Sequence, residues 1–236
     1  MEKDVELVKK TLKKYSQEHL LNGYEKLSKQ KQKELLEQIE GIDFELINSL
    51  YNNTKKEVEI QESQIEPIEY LDKSKLNGDY KEYQKIGEDA IKAGKLAAVT
   101  MAGGQGTRLG HNGPKGTFDI GLNSHKSLFE LLSDSLKEEG KKYGVIIPWF
   151  IMTSKENNKE TVEFFAKNKF FGYEKDKNIF FFIQGELPMV DTEGKILIGE
   201  DGLVKEAANG HGGIYEALVK NGMTKKMREL GVEWIF

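Results

Sequence analysis

The chain has 236 residues, of which 38% are hydrophobic and 24 are glycine, enough to bury a sizeable core and to exclude global disorder. Its 35 Lys and Arg against 39 Asp and Glu leave a net charge of −4, the wrong sign for a protein that grips nucleic acid mainly through phosphates. With no cysteine, disulfides, thiol nucleophiles and cysteine-zinc sites are excluded, and the four histidines, His19, His111, His125 and His211, lack HExxH spacing.

The opening MEKDVELVKK is charged and lacks the apolar stretch of a signal peptide. No later apolar run approaches the ~20 residues that a bilayer crossing needs. A cytoplasmic protein with neither membrane nor nucleic acid as partner is expected. Residues 1–94 read as helical, rich in Lys, Glu, Gln and Leu, with Leu27, Leu35, Leu36, Ile39, Ile42 and Leu46 recurring at spacings of three and four. Ser28 fits as an N-cap, Gly41 as a stop, and Asp43 as the cap of a helix through Leu46, Ile47 and Leu50. Asn52 to Glu66 is polar and reads as a loose connection. A last helix, from about Asp79 to Ala93, stops at Gly94. This half is expected to be a packing or regulatory layer without chemistry.

After Gly94 the texture changes, and a second domain is expected over residues 95–236. Leu96 to Met101 reads as a buried strand and runs straight into glycines. Ser127 to about Lys142 reads as a helix with Leu128, Phe129, Leu131, Leu132 and Leu136 on its apolar face. Pro148–Met152 is a second buried strand, Thr161–Asn168 a helix, and Ile179–Ile183 a third strand with Phe180, Phe181 and Phe182 as core. Lys195–Ile198 suits a short strand or hairpin arm. Gly213–Lys220 and Thr224–Leu230 read as helices, and Val232–Phe236 begins another strand. Strands alternating with helices argue for an α/β layer with a largely parallel sheet. His111 and His125 are expected to be exposed.

The sharpest signal is Gly103-Gly104-Gln105-Gly106-Thr107-Arg108-Leu109-Gly110, followed by Pro114-Lys115-Gly116. Glycines just after a buried strand let the backbone turn tightly and approach a ligand, and their N–H groups can converge on anionic oxygens. Arg108 offers a planar fork for phosphate oxygens and Lys115 a compact point charge. The P-loop does not fit, because Pro114 separates Gly113 from Lys115 and Gly116 follows. The dinucleotide fingerprint GxGxxG does not fit either, because Gly104, Gly106 and Gly110 give GxGxxxG. Two alternatives stay open: a catalytically dead nucleotide-binding or regulatory module, and an NAD(P)-dependent oxidoreductase.

Residues 97–122, AAVTMAGGQGTRLGHNGPKGTFDIGL, resemble the signature of the UTP-dependent sugar-1-phosphate uridylyltransferases, nearest the eukaryotic-type UDP-N-acetylglucosamine and UDP-sugar pyrophosphorylases. Further matching segments follow in order: KSLF at 126–129, IPWFIMTS at 147–154, FFG at 170–172, FFIQGELP at 181–188 and NGHGGIYEAL at 209–218. The resemblance implies a Rossmann-like, GT-A-like nucleotide-diphospho-sugar transferase fold: a mixed sheet flanked by helices, preceded by a helical extension over residues 1–94. It implies transfer of UMP from UTP to a sugar 1-phosphate, N-acetylglucosamine 1-phosphate or a hexose 1-phosphate, with release of pyrophosphate.

Residue by residue, the resemblance places UTP on Ala102, Gly103, Gly104, Gly106, Thr107, Arg108, Lys115, Gln184 and Gly210. Arg108 and Lys115 would also serve as catalytic residues on the phosphates, Gln184 would read the uracil edge, and His211 would face the sugar phosphate. The segment departs from the commoner family form, since Ala207-Ala208 rather than Ala-Pro precede Asn209. His211 stands where the acetylglucosamine branch has Asn and is similar to the glucose branch. Family members continue past this point with a Val-Asp-Asn segment whose aspartate binds a divalent metal. The Mg2+ ligands are therefore expected mainly beyond Phe236, with none in residues 1–236, and these residues alone are expected to be inactive.

Overall fold

A computed structural model describes residues 2–56, 66–70, 72, 75 and 79–236. Most of the connection expected at 52–66 lies outside the described residues. The described chain forms two compact units, one of residues 1–68 with 186–208 and one of residues 69–185 with 209–236.

The first unit is helical with a small antiparallel addition. Its helices are α1 (Glu2–Lys14), α2 (Lys29–Gly41) and α3 (Phe44–Thr54). Ser28 Oγ accepts from the Lys31 N–H and Asp43 Oδ1 from the Leu46 N–H, so both expected caps form. Val8 and Leu12 of α1, Leu35, Leu36 and Ile39 of α2, and Phe44 of α3 share one core. On α3 the inward face is Phe44 and Ile47, while Leu46 and Leu50 stay exposed. Residues 186–208 belong here, against the division at residue 94 that composition suggests. The reason is physical: Ile196 and Val204 complete the same core. Two half- to fully buried glutamines then supply the hydrogen bonds of missing strand neighbours. Gln17 donates to Gly194 O and accepts from Ile196 N–H, and Gln38 donates to Val204 O and accepts from Val204 N–H. The hairpin is framed by β4 (Glu186–Pro188) and β5 (Glu206–Ala208), and the expected arm at 195–198 pairs through isolated bridges to Val190 and Val204.

The second unit begins with α4 (Asp79–Lys92), which ends at Gly94 as expected, with Lys95 N–H on Ala90 O. It continues with β1 (Leu96–Met101), α5 (Leu128–Tyr143), β2 (Trp149–Thr153), α6 (Asn158–Lys167), β3 (Ile179–Ile183), α7 (Ile214–Lys220), α8 (Met223–Glu229) and β6 (Trp234–Ile235). The sheet order is β3-β2-β1-β6, with every neighbour parallel. The antiparallel component expected of a mixed sheet is the separate β4–β5 pair. Side chains alternate between two apolar layers. Phe150, Met152, Phe180 and Phe182 face Ala217 and Leu218 of α7 and Met227 of α8. Trp149, Ile151 and Ile179 face Phe129 of α5 and Phe165 of α6. A sheet covered on both faces explains why β2 and β3 are continuously apolar instead of alternating. On α5 the deeply buried residues are Phe129, Ser133 and Gly140, and Leu132 is exposed.

Tyr173 packs against Trp149, and burial pushes its phenol up to about 12. The unfolded phenol titrates near 10, so the unfolded chain loses its proton first. Tyr173 therefore contributes stability that is intact below pH 10 and is lost as pH rises toward 12. Melting temperatures measured from pH 7 to 11 should fall less steeply at the alkaline end for Tyr173→Phe than for the wild type. Equal alkaline slopes would contradict this.

Candidate nucleotide site

The parallel strands β1, β2 and β3 end on the same edge of the sheet, at Met101, Thr153 and Ile183. The carboxyl edge of a parallel sheet is where α/β proteins bind ligands, because loops from several strands converge there. The loop after β1 closes on itself: Gly106 N–H donates to Gly113 O at 2.8 Å and Lys115 N–H to Gly104 O at 3.0 Å. The N–H groups of Gly103, Gly104 and Gln105 donate to no described residue. Three successive open donors in one turn are the material of an anion cradle. Arg108 and Lys115 are exposed, and neither side chain has a hydrogen bond or ion pair among the described residues. Thr107 opens a short 3-10 turn that carries Arg108.

Gln184 follows β3 and is buried, at 7% exposure. Its Nε2 donates to Gly210 O at 2.9 Å, which fixes the orientation of the carboxamide. Its Oε1 lies over Gly103, so that a Cβ on Gly103 would sit 2.6 Å from it. The structure thus brings Gly103, Gln184 and Gly210 together. His211 lies in the turn after Gly210, exposed and with no described side-chain partner.

Several residues that shape this site were not singled out from the sequence. Asn157 is wholly buried and reaches Ala102 O at 3.0 Å. The Asn209 side chain is wedged beside Gly185 and Gly213, with its Oδ1 buried and unpartnered. His111 is half-buried, not exposed as expected, because its ring covers Gly106 and its Nε2 meets Thr117 Oγ1 at 2.7 Å. The Thr117 hydroxyl donates to Pro114 O, so His111 Nε2 must carry the hydrogen. His125 is exposed as expected. It pairs with Asp119, whose carboxyl is held below its usual range chiefly by the Gly121 N–H. Among the described residues no group of three or more His, Asp or Glu converges as a metal site.

The model of the family described as UTP–glucose-1-phosphate uridylyltransferase matches residues 43–236, including the whole of this loop edge. The chain belongs to that family. It is 35% identical over 239 aligned positions to the UDP-N-acetylglucosamine pyrophosphorylase of Saccharomyces cerevisiae, covering 93% of this chain and 49% of the relative. It is 34% identical over 238 positions to UDP-N-acetylglucosamine diphosphorylase 1 of Arabidopsis thaliana, covering 95% and 47%. Among solved structures, the uridine diphosphate N-acetylglucosamine pyrophosphorylase of Trypanosoma brucei, in complex with an inhibitor, superposes with a TM-score of 0.74 at 26% identity. That match covers 98% of this chain and 50% of the other. The chain thus spans about half the length of the curated relatives it matches.

Proposed function

We propose that this chain carries the UTP-binding half of a uridylyltransferase that joins UMP from UTP to a sugar 1-phosphate and releases pyrophosphate. N-acetylglucosamine 1-phosphate is the first acceptor to test, because the relatives above are named for UDP-N-acetylglucosamine, the product it would give. The observation that carries the proposal is the Gln184 carboxamide, pinned by Gly210 O with its Oε1 over Gly103 beside the open N–H groups. One Nε2 hydrogen goes to Gly210 O, and the carboxamide keeps its second hydrogen as a donor beside its acceptor, Oε1. Oε1 suits the N3–H of uracil, whereas N3 of cytosine is itself an acceptor and would be repelled.

In this mechanism an oxygen of the sugar phosphate attacks the α-phosphorus of UTP, and the bond to the departing pyrophosphate breaks. Negative charge accumulates on the bridging oxygen and the phosphate oxygens. The N–H groups of Gly103, Gly104 and Gln105 would hold phosphate oxygens, while the Arg108 and Lys115 cations, without a partner among the described residues, would neutralise the growing charge. Ala102, Gly106 and Thr107 complete the cradle's backbone, and His211 would face the sugar phosphate. Magnesium, when bound, would neutralise phosphate charge; among the described residues no three His, Asp or Glu converge to hold it. A cytoplasmic setting belongs to the same proposal.

Calorimetric titration of the 236-residue chain with UTP, CTP, ATP and NADP tests this. UTP should bind in preference to the other three. Lys115→Ala should weaken UTP ten- to a hundredfold, since a charge-assisted contact is worth about 1.5–3 kcal/mol. Gln184→Ala should narrow the UTP-over-CTP preference about tenfold. NADP binding as tight as UTP, or an unchanged preference in Gln184→Ala, would defeat the assignment.

A further inference from the structure

Asn157 immediately precedes α6, where an asparagine ordinarily turns its side chain onto the helix's first free N–H groups. Here its carboxamide makes no such cap bond, although its own carbonyl still accepts from Thr161 N–H at 2.9 Å and starts the helix. The side chain is instead committed sideways. Oδ1 accepts from Ser154 N–H at 2.9 Å, and Nδ2 donates to Ala102 O at 3.0 Å and to Gly104 O at 3.5 Å. The residue is fully buried. Its Oδ1 and N–H exchange hydrogen bonds with the Ser154 N–H and Oγ, a reciprocal cap of the first turn, which leaves Nδ2 to reach across to the loop after β1.

The consequence lies in the loop after β1. Gly104 O also accepts from Lys115 N–H, so Asn157 grips the same carbonyl that closes the loop carrying Arg108 and Lys115. With the carbonyls of Ala102 and Gly104 held by Asn157, the N–H groups of Gly103, Gly104 and Gln105 donate to no described residue. Ser154, which Asn157 fixes through both its N–H and its hydroxyl, contacts the same turn: a Cβ on Gly103 would lie 3.4 Å from Ser154 N. We propose that Asn157 is a positioning residue that fixes the Ala102–Gly104 backbone in the shape whose N–H groups receive the nucleotide's anionic oxygens. The ligand identity rests on the uridylyltransferase proposal above; the positioning does not.

The test uses two variants of the 236-residue chain and two separate readouts. Asn157→Ala removes the whole bridge. Asn157→Asp is nearly isosteric and keeps the acceptor for Ser154 N–H, but replaces the donor with a carboxylate facing two carbonyls. Amide hydrogen exchange is followed without ligand at Gly106 and Lys115, whose N–H groups close the loop, and at Val99 and Ile151 in the sheet as internal references. Titration with UTP is the second readout. In both variants exchange at Gly106 and Lys115 should accelerate at least tenfold relative to the sheet references, and UTP affinity should fall at least tenfold. Unchanged exchange at those two amides would overturn the positioning role, as would faster exchange with wild-type UTP affinity. Faster exchange in variants of a chain that never bound UTP would leave the positioning role standing and count against the ligand assignment alone.

Discussion

Gly103→Val is expected to lower UTP affinity at least a hundredfold while the far-UV circular dichroism at 25 °C stays that of the wild type. The first atom added to Gly103 would lie 2.6 Å from Gln184 Oε1, inside any tolerable contact. Gly103 does not have a positive φ, so the effect comes from the added atoms and not from backbone strain. Gln184 cannot simply swing aside, because its Nε2 is bonded to Gly210 O at 2.9 Å. Moving it leaves a buried amide unpaired, at about 1–3 kcal/mol, and breaks its bond to the turn before α7. A hundredfold loss corresponds to about 2.7 kcal/mol and so lies within what that disruption supplies. Affinity within threefold of wild type would show that the nucleotide does not lie over Gly103.

Trp149→Ala is expected to remove about 3–5 kcal/mol of stability, a large share of the roughly 5–15 kcal/mol typical of a folded domain. Trp149 is fully buried on the α5–α6 face of β2. Its ring meets Phe165 edge-on at 5.5 Å, and its Nε1 donates to Thr100 Oγ1 at 2.8 Å, tying β2 to β1. Truncation therefore opens a cavity in the centre of the sheet and leaves a hydroxyl without its donor. Trp149→Phe fills most of the space but still strands the Thr100 hydroxyl, so it should cost less, about 1–3 kcal/mol. Urea unfolding followed by tryptophan-independent circular dichroism measures both. A loss below 1 kcal/mol for Trp149→Ala would mean that this layer is not the core of the unit.

The elements that could be read from the sequence are those whose signals are local. Ser28 and Asp43 each announce a helix start by their side-chain chemistry, and each accepts the hydrogen bond expected of it. The runs at 96–101 and 179–183 were legible as buried strands because a sheet covered on both faces needs apolar residues at every position. Helix faces were read less well: Leu132 and Leu50 fit an apolar stripe yet are exposed, since which flank of a stripe is covered depends on the neighbouring layer. The membership of residues 186–208 in the helical unit was not legible, because it depends on Gln17 and Gln38 meeting a hairpin more than 160 positions away. Nor was the turn at Phe170 and Phe171, both left-handed at φ near 50°, which the rings of Phe165 and Phe181 pack against.

At the site, the glycine loop and its two cations were visible because their chemistry lies in one stretch of chain. Asn157 was not, since an asparagine before a helix reads as a cap, and only the tertiary structure shows its carboxamide turned onto Ala102 and Gly104. His111 looked like a loop residue bound for solvent, but Thr117, six positions on, holds its ring over Gly106.

The account's central claim is that one uridine nucleotide lies across Gly103, with its base at Gln184 and Gly210 and its phosphates at the open N–H groups. The most direct measurement is two-dimensional amide and side-chain NMR of the 236-residue chain during titration with UTP. The predicted result is saturable shifts concentrated at Gly103, Gly104, Gln105 and Gly210, with the Gln184 side-chain amide moving in step and the amides of α2 and α3 unmoved. Shifts that appear equally with CTP, or that fall elsewhere while Gly103 and Gln184 stay still, would contradict it.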